Sequence, residues 1–306
     1  MPVAVGTAAG YLSSGHFVVT TPQTSSACHA AVCAGFDRQL SWLNAFLALV
    51  VALGIQVGTN YVNDYADGVR GTDARRVGPV RLVAGELATV REVQTAALLA
   101  FGVAGLAGLV LAARVTWWFI PLGFLCGVAG WAYTGGPRPY GYLGFGELFV
   151  FVFFGLVATA GSAYVQHAPF VTSLGGHLFR YAYGWGFVLW AGVPVGLLAA
   201  ALLQANNLRD IDSDTESGKK TLAVRLGRRN AGWLYCLTLV GVAVSIGVLH
   251  SYRSWSLLAL LAIPLAISPA GLALGDRNGR ALLPMLGDTA RLQIVTGALL
   301  TVGLLI

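Results

Sequence analysis

Nine apolar runs take up most of this 306-residue chain, near 2–20, 41–62, 93–113, 115–134, 145–166, 184–205, 231–250, 255–275 and 289–306. A helix needs about 20 apolar residues to cross the hydrocarbon of a bilayer. In lipid, a helix satisfies its backbone hydrogen bonds within its own segment. The expected fold is therefore all-α: a polytopic membrane bundle of nine transmembrane helices, forming a single integral-membrane domain over 1–306. Only 10% of residues are charged and 56% are hydrophobic, whereas soluble domains carry about 25% charged residues. No nucleic-acid partner is expected; the partner surface is membrane lipid.

The polar breaks between runs set the topology. With the 63–92 segment placed inside, 15 of the 19 Lys and Arg residues are cytoplasmic and only Arg38, Arg114, Arg180 and Arg253 lie outside, as the positive-inside rule demands. Of the 13 acids, only Asp37 falls outside, and all five His lie on the outer half. The expected location is the bacterial plasma membrane, with the functional end toward the cytoplasm. The first run has no basic lead and no obvious cleavage site, so it is expected to stay as a helix and not to act as a signal peptide.

Cysteines and glycines carry less. Cys126 and Cys236 fall inside apolar runs, where a thiol behaves as a small hydrophobe. Cys28 and Cys33 flank His29 in the outer segment "ACHAAVCAG", where unpaired thiols, a small disulfide or a weak metal site are all open. Gly54 and Gly58, and Gly123 and Gly127, have the small-xxx-small spacing that lets membrane helices approach closely.

Chemistry is concentrated in two polar clusters at helix ends. In "NYVNDYADGVRG", a helix advancing about 100° per residue puts Asn60, Asn63, Asp64 and Asp67 on one arc of about 100°. In "ANNLRDIDSDTESGKKT", Asn206, Asn207, Asp210 and Asp214 share a similar arc, while Asp212 points nearly opposite. Asp212 and Glu216 are read as solvated. Two carboxylate faces meeting at a membrane boundary repel unless a cation joins them. Oxygen ligands without nearby His or Cys select Mg²⁺ or Mn²⁺ over Zn²⁺, and Mg²⁺ prefers a few carboxylates plus waters and substrate phosphates. The cation therefore predicts a phosphate-bearing ligand. Arg75, Arg76, Arg81, Arg138, Lys219 and Lys220 supply further positive charge nearby, although each alone also serves as a topology determinant.

The segments "NDYADGVRGTD", "YTGGPRPYGYLGFGE" and "NNLRDIDSDTESGKKTLAVRLG" resemble the signatures of the UbiA-type intramembrane prenyltransferases, and most closely their menaquinone branch. The likeness covers essentially the whole chain. The family's Asn-Asp-x-x-Asp-x-x-x-Asp motif falls on Asn63, Asp64 and Asp67, with Gly71 at the last acid position and Asp73 two residues later. Its Asp-x-x-x-Asp motif falls on Asp210 and Asp214, followed by Lys220 and Thr221, and a Tyr with a nearby basic residue falls on Tyr133 and Arg138.

The resemblance implies a Mg²⁺-dependent aromatic prenyltransferase, with Mn²⁺ able to substitute, that moves a polyprenyl group from its diphosphate to 1,4-dihydroxy-2-naphthoate with loss of CO₂. It implies that Asn63, Asp64, Asp67, Asp210 and Asp214 hold the metal, the four Asp residues being catalytic. Asn60, Arg81, Tyr133, Arg138, Asn206 and Lys220 would bind substrate. Other acceptors, 4-hydroxybenzoate or homogentisate, stay open. Glu147, at the start of the fifth run, either orients or deprotonates an acceptor hydroxyl or simply stabilises a helix N-terminus. A cation-coupled transporter would also use membrane carboxylates, but both clusters sit at one membrane end. A phosphatidyltransferase with Asp and Mg²⁺ is a third class, and the spacing after Asp67-Gly68 does not follow its pattern.

Overall fold

The structure, a computed structural model, describes residues 1–13, 16–19, 34–37, 40–70, 81–134, 139–171 and 184–306. Eleven α-helices appear in these segments: α1 Pro2–Ser13, α2 Trp42–Arg70, α3 Val90–Arg114, α4 Phe119–Thr134, α5 Gly146–Val150, α6 Ala158–Val171, α7 Gly184–Arg209, α8 Ile211–Glu216, α9 Leu222–Leu249, α10 Pro264–Leu274 and α11 Leu283–Leu305. A π-helical segment, Phe151–Val157, joins α5 to α6 without a break, and a 3₁₀ segment, Ser254–Ala262, leads into α10.

Eight of the nine apolar runs are helical over most of their length and the first over its opening 12 residues, yet fewer than nine qualify singly as spans. Among the described residues, five helices are long and apolar enough to cross a membrane, and a sixth is counted if the pair Ser254–Ala262 and Pro264–Leu274, bent by 49°, is one span. Pro264 at the start of α10 explains the bend, since a proline ring clashes with the preceding turn. The first run is shorter than expected. Its helix ends at Ser13, and His16–Val19 pairs antiparallel with Ala34–Asp37 as a two-stranded hairpin. The aromatic and β-branched "HFVV" suits a strand better than a helix. Cys28 and Cys33 lie outside the described residues.

The exterior is apolar and the polar groups are inside. Leu106, Leu237, Leu261 and Ile267 are exposed to the extent of 64–71%, which is stable only against lipid. Trp42, Trp117, Trp118, Trp185 and Trp255 are also exposed and stand at the helix ends opposite the two acidic clusters, forming one interfacial aromatic belt. Two apolar cores hold the bundle. One gathers Val5, Phe187, Leu198, Ile246 and Leu300 from α1, α7, α9 and α11; the other gathers Leu208, Tyr235, Leu282 and Met285 nearer the acidic end.

Helix α2 lies along α3 and also touches α4 and α6. Gly54 is needed there, because an added Cβ would come within 2.8 Å of Ala104. The pair Gly123 and Gly127 does not play the expected packing role: a Cβ on either meets nothing within 4 Å, and both line a cavity. At the belt end the buried Asn44 gathers polar ties, donating to the Val165 carbonyl at 2.7 Å and accepting from Arg114 Nε at 3.1 Å. These bonds pin the start of α2 to α3 and α6.

Candidate active site

A chamber of about 2670 Å³ runs inside the bundle from Leu40 and Trp42 at the belt end to Asn206, Asp210 and Asp214 at the other. It is several times larger than ordinary ligand pockets of about 300–1,000 Å³. Most of its wall is aliphatic or aromatic, with Trp131, Tyr133, Tyr140, Phe149, Phe153 and Phe154 among the lining residues. Its Asp, Arg and Lys side chains are gathered at the end where α2 and α7 terminate, while Thr7, Gln56, Ser162 and Thr301 are polar groups further along the wall.

Four carboxylates are buried at that end: Asp64 and Asp67 at 5% exposure, Asp210 and Asp214 at 8%. Asp64 accepts the backbone N–H groups of Leu82 and Val83 at 2.9 and 3.1 Å, which folds the segment after residue 81 back over the end of α2. That close approach requires Gly68, where a Cβ would lie 2.5 Å from Val83. Asp67 accepts the Tyr142 hydroxyl and pairs with Lys219 Nζ at 3.2 Å.

On the other side the helix breaks between α7 and α8 at Asp210, with φ −94° and ψ 7°. Two bonds carry the helical spacing across the break, from Asp210 N–H to Asn206 and from Asp214 N–H to Asp210. Asp210 and Asp214 therefore share the face of Asn206 and Asn207, and all four line the chamber. Arg209 grips Asp210 with two bonds of 2.6 and 2.5 Å, and Thr221 donates to Asp214 at 3.4 Å.

The turn after α8 then decides which lysine enters. Gly218 adopts φ 75°, Gly218 N–H bonds the Thr215 carbonyl and Lys219 N–H bonds the Asp214 carbonyl. This is a Schellman closure, which glycine makes without Cβ strain. It points Lys219 into the chamber, over the Tyr142 ring at 4.7 Å. Lys220, the lysine matched by the family motif, is exposed, and its backbone N–H holds the Tyr142 carbonyl at 2.9 Å.

The remaining expected residues divide as follows. Asn60, Asn63, Arg81, Tyr133 and Asn206 line the chamber with the acids, while Asp212 is exposed and outside it. Tyr133 meets Tyr140 edge-on with centroids 5.5 Å apart. Burial pushes the Tyr140 phenol up to about 12, so it stays a neutral donor to the Ala129 carbonyl at 2.7 Å. Arg138 and Asp73 lie outside the described residues, as do Arg75 and Arg76. Glu147 is buried but does not line the chamber; it accepts Asn207 Nδ2 at 2.8 Å. Sequence reasoning missed Tyr142, Arg209 and Ser213 as chamber residues. A tyrosine within "RPYGYLGFGE" offered a faint signal for the first.

Among the described residues, no three His, Cys, Asp or Glu side chains stand where they could hold a metal ion together. The side-chain donors that line this end are oxygens, from Asp64, Asp67, Asp210 and Asp214 and from the amides of Asn63 and Asn206. That donor set fits Mg²⁺, which keeps waters and takes substrate phosphate oxygens to complete its six ligands.

Fold and site together define an integral membrane enzyme with an acid-ringed head and a long apolar chamber. The chain belongs to the UbiA prenyltransferase family, whose pattern matches residues 25–282. It is 45% identical over 258 residues to the 1,4-dihydroxy-2-naphthoate octaprenyltransferase of Mycobacterium tuberculosis, a match covering 83% of this chain and 82% of that one. Among solved structures, the apo UbiA homolog of Aeropyrum pernix K1 superposes with a TM-score of 0.69 at 16% identity, covering 98% of this chain and 96% of that one. The UbiA homolog of Archaeoglobus fulgidus bound to DMAPP and Mg²⁺ gives 0.53 at 15% identity, covering 98% and 94%.

Proposed function

We infer that this protein transfers a polyprenyl group from polyprenyl diphosphate to 1,4-dihydroxy-2-naphthoate, with loss of CO₂, in menaquinone biosynthesis. The observation that carries the reading is the single chamber in which Asp64, Asp67, Asp210 and Asp214 meet at the mouth of a long aromatic and aliphatic cavity. An isoprenoid diphosphate has that same polarity, an anionic head on a long apolar tail. The naphthoate acceptor rests on the name of the 45% identical relative and on the three sequence segments quoted above.

Asn63, Asp64, Asp67, Asp210 and Asp214 are the residues that would hold Mg²⁺, and the relative bound to DMAPP and Mg²⁺ supports that choice of metal; Mn²⁺ shares the same oxygen preference. When bound, the metal supplies positive charge that stabilises the departing diphosphate. Arg81 and Lys219, both on the chamber wall, add fixed cations toward the same group, and Arg138 is proposed as a further one from its sequence position. Asn60 and Asn206 contribute polar contacts at the mouth. Tyr133, Tyr140 and Phe149 line the chamber as an aromatic wall beside which an allylic cation would be stabilised, and the apolar wall keeps water away from it. A ring carrying two hydroxyls is electron-rich enough to attack, and expelling CO₂ from the attacked carbon restores aromaticity.

The chain is taken as one domain over 1–306 in the bacterial plasma membrane. All nine apolar runs are proposed as crossings, the first being helical only as far as Ser13 and the other eight over most of their length, and the 15-to-4 split of basic residues supports a cytoplasmic acidic mouth.

The test is turnover by the full-length protein in detergent with Mg²⁺, a long polyprenyl diphosphate and each acceptor in turn, read by mass spectrometry of the lipid. The expected product is a prenylated naphthoquinol without its carboxylate, with diphosphate and CO₂ released in equal amounts. Turnover only with 4-hydroxybenzoate or homogentisate, or a product retaining the carboxylate, refutes the acceptor.

A further inference from the structure

A second cavity of about 10 Å³ lies outside the chamber, walled by Glu147, Gln204 and five apolar side chains. Glu147 and Gln204 are 8% and 6% exposed. Among the described residues, Glu147 Oε2 and Gln204 Oε1 find no hydrogen-bond partner. Two orphaned acceptors on one small hole need an explanation, because a buried polar atom left unpaired is costly.

The orientation of both groups is forced by their neighbours. The Thr238 hydroxyl donates to the Leu234 carbonyl at 2.9 Å, so its oxygen can only accept from Gln204, whose Nε2 donates to it at 3.0 Å. That leaves the Gln204 carbonyl oxygen as the amide's free end. On the opposite wall, Glu147 Oε1 accepts Asn207 Nδ2 at 2.8 Å. The Asn207 NH₂ makes this bond, which leaves its Oδ1 for the chamber that Asn207 lines. One water carries two O–H donors, and a hole of about 10–15 Å³ is what one water needs.

We propose that a single ordered water fills this cavity, donating to Glu147 Oε2 and Gln204 Oε1, and that the completed chain locks Asn207 with Oδ1 facing the chamber to receive a hydroxyl of the aromatic acceptor. Glu147 is then a positioning residue, acting through Asn207 without touching substrate. An oxygen acceptor at that point discriminates between the two substrates. It binds a phenolic hydroxyl, whereas an ionised diphosphate offers no proton to it. The proposal rests on the acceptor reading given above.

Two measurements test it. A structure of the full-length protein in lipid, at a resolution that shows waters, is expected to place one within hydrogen-bond distance of both oxygens; Glu147 and Gln204 in direct contact with nothing between them overturns the water. In kinetics, Glu147→Leu is expected to raise KM for 1,4-dihydroxy-2-naphthoate about tenfold and to leave KM for the polyprenyl diphosphate within about twofold, the scale of one misplaced buried hydrogen bond. Glu147→Gln should recover most of the loss, since its amide accepts from Asn207 and donates into the cavity. Gln204→Leu, also outside the chamber, should raise the same KM and carries the test if Glu147→Leu does not fold. Equal rises in both KM values, or no rise in a folded variant, overturn the positioning role. Wild-type turnover of the naphthoate is the control: its absence removes the acceptor reading, while the water density stands or falls by itself.

Discussion

Replacing Asp67 by Asn separates its charge from its shape. The amide oxygen still accepts the Tyr142 hydroxyl, but the ion pair with Lys219, 3.2 Å away, is lost. Coulomb's law with an effective dielectric of about 20 gives that pair about 5 kcal/mol before desolvation, and most of this is offset by the cost of burying both ions. The lasting effect falls on catalysis. Loss of one preorganised charge stabiliser lowers kcat by about 10²–10³, or roughly 3–4 kcal/mol. Asp212→Asn, on α8 between Asp210 and Asp214 of the second acidic segment but exposed and outside the chamber, should change kcat by less than about twofold, as surface changes usually do. The assay is steady-state turnover of polyprenyl diphosphate with dihydroxynaphthoate and Mg²⁺, paired with a melting curve in detergent to show that each variant is folded. If Asp212→Asn were as damaging as Asp67→Asn, or if Asp67→Asn kept more than about a tenth of wild-type kcat, the chamber face would not be the catalytic one.

Activity should vanish in excess EDTA and return with Mg²⁺ or Mn²⁺, because the oxygen donors at the mouth suit hard divalent ions; full turnover in EDTA, measured by diphosphate release, would remove the metal from the mechanism. Gly155→Val should destabilise by at least about 1–3 kcal/mol, since a Cβ there would come within 2.4 Å of Gly196 on α7. Gly123→Ala, which meets nothing within 4 Å, should leave the melting temperature in detergent within a degree or two, and equal shifts for the two variants would count against the packing described.

What was legible in the sequence is what lipid and helical geometry dictate directly. A bilayer requires long apolar runs, so helix positions could be read from composition, and a fixed turn angle put Asn60, Asn63, Asp64 and Asp67 on one face by spacing alone. What escaped depends on local breaks. A left-handed Gly218 rotates the chain so that Lys219, not Lys220, meets Asp67, and periodicity cannot register such a turn. Tyr142 reaches the acids because the 3₁₀ turn Tyr140–Leu143 docks on Lys220, a contact made across 78 residues of sequence. Gly123 and Gly127 carry the spacing of a packing motif yet face a cavity, since spacing says that a helix can be approached, not that a neighbour is there.

The charge balance of the mouth connects these details to the proposed reaction. Without ligands, each carboxylate is already held: Asp64 by two backbone amides, Asp67 by Lys219 and Tyr142, Asp210 by Arg209, Asp214 by Thr221. Lys219 and Arg209 offset two of the four negative charges, which limits the repulsion that a buried quartet would otherwise create. A diphosphate brings further negative charge to this ring of acids. That excess is what a pair of divalent cations would neutralise, and neither the metal nor the diphosphate would be well accommodated without the other. On this reasoning the mouth is built for the metal–diphosphate pair as a unit, so Mg²⁺ and polyprenyl diphosphate should each tighten the binding of the other, the reciprocity that coupled sites must show.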